Sequence, residues 1–209
     1  MARWKLWLKC LGKAVCNKGL RALVGIVPLG EAVYDIAENA YQEFREESLE
    51  EGMREALEGV AQASPEEVRE EVNEVVNEVA RDQPEAVKKQ LTLYLHQVPA
   101  AVRQSLKRPT DPTGRSVPIS FSPKRPEDLL QFLPSRLPRY KSGDRPAGIG
   151  DWELVEPLGV GGFGEVWKAR HVFFDGIAPV ALKFCLDANA RDRLLKYEAT
   201  VLNQVMRQG

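Results

Sequence analysis

The stretch that decides the fold runs from residue 158 to residue 166 and reads Leu158-Gly159-Val160-Gly161-Gly162-Phe163-Gly164-Glu165-Val166. Its glycines fit the pattern G-x-G-x-x-G. This pattern alone is weak evidence for any one fold, because it also occurs where a strand leads into a helix in dinucleotide-binding folds. Here strand formers without a helix cap follow Gly164, a turn follows at Asp175-Gly176, and residues 180–184 form another strand-like run. The flanks therefore predict three strands in an antiparallel sheet and not a βαβ unit.

The residue types in this stretch suit a backbone that passes close to a phosphate chain. Glycine has no side chain to obstruct such an approach, and it permits unusual dihedral angles. A lysine on a neighbouring strand can then reach the phosphates, and Lys183 stands in the run Val180-Ala181-Leu182-Lys183. A lysine between apolar strand residues needs a carboxylate partner, and the helical pattern from 190 to 207 carries Glu198. Asp187 and Asp192 lie before the core of that helix and are worse placed.

Each of these features alone has an ordinary structural interpretation. A glycine cluster is usually a turn, a single Lys183 would be a surface lysine, and a single Glu198 would be a solvated helix residue. Their order and spacing together resemble the small lobe of eukaryotic-type Ser/Thr protein kinases, including the bacterial members, over residues 151–209. The serine/threonine preference rests on this resemblance only.

The resemblance implies a site for ATP and a reaction. Lys183 and Glu198 would be the catalytic ion pair, and the γ-phosphate of ATP would pass to protein hydroxyls when the full domain is present. Leu158, Val166 and Ala181 would line the adenine pocket, and the loop from Gly159 to Gly164 would cover the phosphates with Phe163 at its tip. The implied ATP-binding residues are Leu158, Gly159, Val160, Gly161, Gly162, Phe163, Gly164, Val166, Ala181 and Lys183.

The family signatures for chemistry are not found in the 209 residues. No His-Arg-Asp catalytic loop, Asp-Phe-Gly metal site or Ala-Pro-Glu segment is present, and phosphoryl transfer needs the first two. The expectation is a truncated kinase portion that has no activity alone, binds ATP weakly at best, and holds no magnesium ligand. The alternative is a non-catalytic adaptor or pseudokinase fragment that acts through its helical region.

Residues 1–107 have helical periodicity and strongly segregated charge. Residues 1–25 carry six basic residues and no acidic one, whereas residues 26–90 carry 18 acidic and six basic residues. Ser64-Pro65-Glu66-Glu67 predicts a capped helix start, and Pro99 is expected to end or kink a later helix. The favoured interpretation is that the basic first helix packs on the acidic segment, and the alternative is contact with an anionic membrane surface. A regulatory role for residues 1–107 is a hypothesis.

Residues 108–150 differ in composition and predict a linker. They hold eight of the 14 prolines, which favours an extended, partly polyproline-like spacer over a recognition peptide. The apolar island at 129–133 is expected to dock on a neighbouring part of the protein. The whole chain is therefore predicted to be α+β, with a helical region, a proline-rich linker and a partial kinase domain at 151–209.

Composition excludes several classes of site. A net charge of −1 gives no reason to expect nucleic acid as a partner. Three cysteines without a CxxC pair argue against a disulfide framework or a zinc site, and they predict a reducing, cytoplasmic setting. His96 and His171 are far apart in sequence and are interpreted as ordinary residues, and no run is long and apolar enough to predict a membrane span. The protein substrate is not indicated.

Overall fold

A computed structural model describes residues 2–23, 29–47, 52–121, 123–161 and 164–185. Its helices are α1 (Arg3–Lys18), α2 (Leu20–Leu23), α3 (Leu29–Glu47), α4 (Gly52–Gln62), α5 (Pro65–Val79) and α6 (Glu85–Leu106). A 3-10 helix follows at Pro126–Phe132, and the strands are β1 (Trp152–Gly161), β2 (Gly164–His171) and β3 (Val180–Cys185). The described chain is therefore a helical bundle followed by a small sheet, which confirms the α+β class.

Helix α1 lies at the centre of the helical bundle. It contacts α3, α4, α5 and α6, and Trp7, Leu8 and Leu11 on its apolar face are fully buried. The Trp7 ring meets the Phe44 ring of α3 edge to face. Its cations pair with acidic side chains of the surrounding helices, as Arg3–Glu55 at 2.6 Å, Lys5–Glu71 at 2.6 Å, Lys9–Glu78 at 2.7 Å, and Lys13–Glu43. The first helix thus packs as the favoured interpretation of the sequence expects.

Local signals in the sequence explain where the later helices begin. Ser64 accepts a hydrogen bond from the Glu67 amide and the Glu67 carboxylate accepts one from the Ser64 amide, so the predicted capping box is present. The valine stripe of α5 then faces the core, since Val68, Val72, Val75 and Val76 are buried. Helix α6 continues through Pro99 to Leu106, so this proline does not end it.

The segment after α6 is more structured than the expected extended spacer. Asp111 accepts hydrogen bonds from the Thr113 and Ser116 hydroxyls and from nearby backbone amides, which hold its pKa well below its usual range. Gly114 has a φ of 66°, and a Cβ there would lie 1.9 Å from the Arg103 carbonyl oxygen. The apolar island docks as expected, because its core residues Leu129, Phe132 and Leu133 are buried with the helices.

The three strands form one antiparallel sheet in the order β1-β2-β3, as predicted. Its register is irregular between Leu154 and Glu156 and between Pro157 and Gly159. A separate small core lies on one face of the sheet, with Leu154, Trp167 and Ala169 buried.

Among the described residues, no helix combines the length and apolarity that crossing a membrane requires. Within the same ranges, no group of three or more His, Cys, Asp or Glu side chains is arranged to hold a metal ion. Among the described residues, Cys10, Cys16 and Cys185 form no disulfide bond with one another.

Candidate functional site

The register of the sheet separates its side chains into two faces. Val166 lies opposite Lys183, Lys168 lies opposite Ala181, and Gly159 lies opposite Val166. Because side chains of directly opposed residues share a face, Val166, Ala181 and Lys183 project from the same side. Ala181 and Lys183 are exposed and Val166 is half-buried. This face, called here the open face, is the one that carries three of the residues singled out from the sequence.

The glycine-rich stretch forms the connection between β1 and β2. Gly161 ends β1 and pairs with Gly164 at the start of β2, while Gly162 and Phe163 lie outside the described residues. A Cβ on Gly159 would have no atom within 4 Å, so there is room beside the backbone there. A Cβ on Gly164 would lie 2.3 Å from the Phe184 carbonyl oxygen. Gly164 is thus required by the close approach of β3, independently of any ligand.

The other residues predicted for the site differ in where they lie in the structure. Leu158 lies at the irregular part of β1 and is 37% exposed, beside the open face. Val160 is in β1 opposite Glu165, and nothing is described of its side chain. Glu198, the expected partner of Lys183, and the helix predicted around it lie outside the described residues. The ion pair between Lys183 and Glu198 therefore stays a prediction.

The opposite face of the sheet contains a buried carboxylate that the sequence did not indicate. Glu165 is fully buried, next to Gly164 at the base of the glycine turn. Its carboxylate accepts hydrogen bonds from the Trp167 indole at 3.0 Å, from the Arg136 guanidinium at 3.3 Å, and from the backbone amides of Arg139 and Tyr140. Arg136 also donates to the Gly164 carbonyl oxygen at 2.8 Å. A buried charge is tolerated when it is paired and hydrogen-bonded in this way.

Residues 136–144, called here the strap, cover this buried face. The Tyr140 ring packs on Phe184 with centroids 4.5 Å apart. The strap also extends along β1, since the Gly143 amide donates to the Leu154 carbonyl at 2.7 Å and the Leu154 amide donates to the Asp144 carbonyl at 2.9 Å. The only signal available in the sequence was the alternation of β2, which places Glu165 on the same face as Trp167. No pattern in the residues around Glu165 indicated that the distant backbone amides of Arg139 and Tyr140 would donate to its carboxylate.

The sheet is also joined to the helical bundle. Helix α6 packs along β1, and Arg103 of α6 lies 3.7 Å from the Glu156 carboxylate. The same carboxylate is 3.3 Å from the Lys168 ammonium of β2. The glycine turn therefore extends from a sheet whose buried face and first strand are both held by other parts of the chain.

Neither a protein-family model, nor a curated protein, nor a solved structure matches this chain.

Proposed function

We propose that residues 152–185 are the ATP-binding part of a Ser/Thr protein kinase small lobe. The observation that carries the proposal is the register of β2 and β3, which gives Val166, Ala181 and Lys183 one common face beside the glycine turn. Adenine would pack against the apolar side chains at the base of that face, and the ammonium of Lys183 would meet the phosphates. The space beside Gly159 supports a close approach of the phosphate chain to the backbone.

The proposed chemistry is phosphoryl transfer in the complete kinase domain. A protein hydroxyl attacks the γ-phosphorus of ATP, the bond to the bridging oxygen breaks, ADP leaves, and a base accepts the hydroxyl proton. The part of this reaction assigned to the present chain is binding and charge neutralisation through Lys183, with Glu198 proposed to hold the ammonium in place. The described residues contain no group of three or more His, Cys, Asp or Glu side chains arranged to hold a metal ion. No step is assigned to a metal here.

Nucleotide binding by the 209-residue chain tests the proposal directly. Titration with a fluorescent N-methylanthraniloyl ADP should give weak, saturable binding. Lys183→Met should weaken it by roughly tenfold or more, since a hydrogen bond to a charged group is lost. Arg170→Met is the matched control, because Arg170 is an exposed cation at the other end of the same sheet, paired with Glu153, and its affinity should change less than about twofold.

The outcomes distinguish the two functions considered from the sequence. Equal affinities of Lys183→Met and Arg170→Met would contradict a phosphate-binding role for Lys183. No nucleotide binding at all would favour an adaptor that acts through its helices. Transfer of labelled phosphate from ATP to a protein substrate by the purified chain would contradict the expectation that this portion is inactive alone.

A further inference from the structure

A cavity of about 430 Å³ lies between the helical bundle and the sheet. Its walls come from the start of α5, the middle of α6, the strap, β1 and Trp167 of β2, so parts of the chain that are distant in sequence meet around it. Its wall includes Trp167, which lies on the face of the sheet opposite to Val166 and Lys183. Cavities of this size at the junction of two structural units are typical sites for small ligands.

The inner walls of the cavity are mainly apolar. They include two aromatic side chains, Tyr140 and Trp167, together with the aliphatic side chains of Val68 and Leu93. The lining also includes four prolines, Pro65, Pro99, Pro138 and Pro157. Such walls favour a ligand with an apolar or aromatic body, because its transfer from water removes apolar surface on both partners.

The charged side chains that line the cavity carry a net positive charge. Arg69, Lys89, Arg103 and Lys141 line it, and Glu156 is the one carboxylate among the described lining residues. Glu156 is already 3.7 Å from Arg103 and 3.3 Å from Lys168. Among the described residues, no carboxylate lies within 4.0 Å of the charged groups of Arg69, Lys89 or Lys141. Three cations at the cavity are therefore available to an anionic group.

One buried polar atom on α6, Oε1 of Gln97, lacks a hydrogen-bond partner among the described residues. Gln97 lines the cavity and is 2% exposed, and its Nε2 donates to the Leu93 carbonyl at 3.1 Å. Its Oε1 is buried and accepts no hydrogen bond from the described residues. A buried acceptor without a donor is destabilising and is rare in folded proteins. This oxygen has less than 1 Å² of accessible surface, so it lies behind the wall of the cavity and is not itself in contact with a ligand there.

We propose that this cavity binds a small amphipathic anion, with its apolar or aromatic body against Tyr140 and Trp167 and its acidic group beside Arg69, Lys89 and Lys141. The two observations that carry the proposal are the apolar volume and the excess of cations. The site is independent of nucleotide binding. The cavity lies between the helical bundle and the sheet, so a bound ligand would stabilise the junction between them.

The test uses the whole 209-residue chain and 8-anilinonaphthalene-1-sulfonate as the probe. This probe combines an aromatic body with one anionic group, and its fluorescence rises in apolar surroundings. We expect saturable binding at one site, competition by naphthalene-2-sulfonate, and at least roughly tenfold weaker competition by the neutral naphthalene-2-sulfonamide, because the loss of one charge removes the contacts with the cations. Excess ATP should not displace the probe.

Two variants test whether the probe binds in the cavity. Leu93→Trp fills the space and should abolish one-site binding. The exposed triple variant Arg69→Gln, Lys89→Gln, Lys141→Gln should weaken binding by roughly tenfold, since each charge at the edge of a site contributes modestly. The matched control replaces three exposed cations that do not line the cavity, as Arg81→Gln, Lys107→Gln, Lys124→Gln, and should change the affinity less than about twofold.

The same measurements can overturn the proposal. Equal competition by the sulfonate and the sulfonamide would exclude recognition of an anion. Equal weakening by the two triple variants would show that net charge, and not this cavity, attracts the probe. Circular dichroism reports whether Leu93→Trp folds, and the triple variants decide the outcome if it does not, because all six replaced residues are exposed.

Discussion

The helical bundle and the sheet are stabilised in different ways. The bundle has a continuous apolar core that draws on all six helices and on the 3-10 helix, and ion pairs surround α1, one of them with the buried carboxylate of Glu71. The small core of the sheet contains three fully buried hydrophobic residues among those described, and its base is organised around the buried Glu165. Apolar burial is the main stabilising contribution in the bundle. The sheet depends on polar contacts with the strap and on its junction with α6.

The largest effect is expected from Glu165→Ala, which would test this difference. The change leaves the Trp167 indole, two strap amides and Arg136 without their shared acceptor. Removing one partner from a buried ion pair costs about 4 kcal/mol. Amide hydrogen exchange should become fast in residues 152–185 and stay slow in α1, α5 and α6.

Glu153→Ala is the matched control for that experiment. Glu153 lies in β1 and accepts hydrogen bonds from Arg145 and Arg170, but these ion pairs are at the surface of the sheet. Its replacement should cost less than about 1 kcal/mol. If both variants lose the same protection, Glu165 has no special role, and if the helices lose protection as well, the two regions unfold together.

A moderate effect is expected from acid at the junction between the two regions. Burial, together with the charge of Arg69, lowers the pKa of His96 from 6.5 to about 4. The unfolded chain therefore takes up a proton at His96 at higher pH than the folded chain does. The stability that neutral His96 contributes is fully present above pH 6.5 and is lost as the pH falls to about 4, a change on the order of 2 kcal/mol for a partly exposed group.

The measurement is the free energy of urea unfolding at several pH values for the wild type and for His96→Gln. The difference between the two proteins should decrease steadily from pH 7 to pH 4, since carboxylates that titrate in the same range are common to both. Arg69, Lys89, Arg103, Lys141 and Glu156 face the same cavity and are unchanged in the comparison. A difference that does not vary with pH would show that His96 is not shielded by the junction.

The smallest effect concerns a polar group inside the apolar core of the bundle. Tyr94 is fully buried, burial raises the pKa of its phenol, and its hydroxyl has no hydrogen-bond partner among the described residues. Tyr94→Phe removes the unsatisfied hydroxyl and keeps the ring, so we expect a gain of about 1 kcal/mol. The midpoint of thermal unfolding should rise by about 3 °C for a chain of this size. A lower midpoint would mean that the hydroxyl has a partner, such as a buried water.

Local sequence patterns predicted much of this fold. Ser64, Pro65 and Glu67 predicted the start of α5, because capping depends on neighbouring residues. The glycine pattern and its flanks predicted the antiparallel sheet, because strand and turn preferences also act over a few neighbouring residues. Pro99 was expected to end or kink its helix, and it does not end it, since α6 continues through this buried position to Leu106.

The candidate site was predictable only where its residues lie within one or two strands. Alternation along β2 and β3 is sufficient to group Val166, Ala181 and Lys183 once the two strands pair. The burial of Glu165 could not be predicted, because its partners at 136–140 are brought to it by the path of a segment with no regular secondary structure. The cavity was missed for the same reason, since its lining is drawn from several elements that are distant in sequence.

The sequence by itself determined the helices, the three strands, the glycine turn and the charge complementarity between α1 and the acidic helices. These follow from backbone preferences and periodicities that act over a few residues. Only the tertiary structure decided that the proline-rich segment packs as a strap, that one face of the sheet is covered while the other is open, and that a cationic cavity forms at the junction. Those features depend on contacts between distant segments, whose geometry is set by how the packed elements fill space and satisfy their buried polar groups.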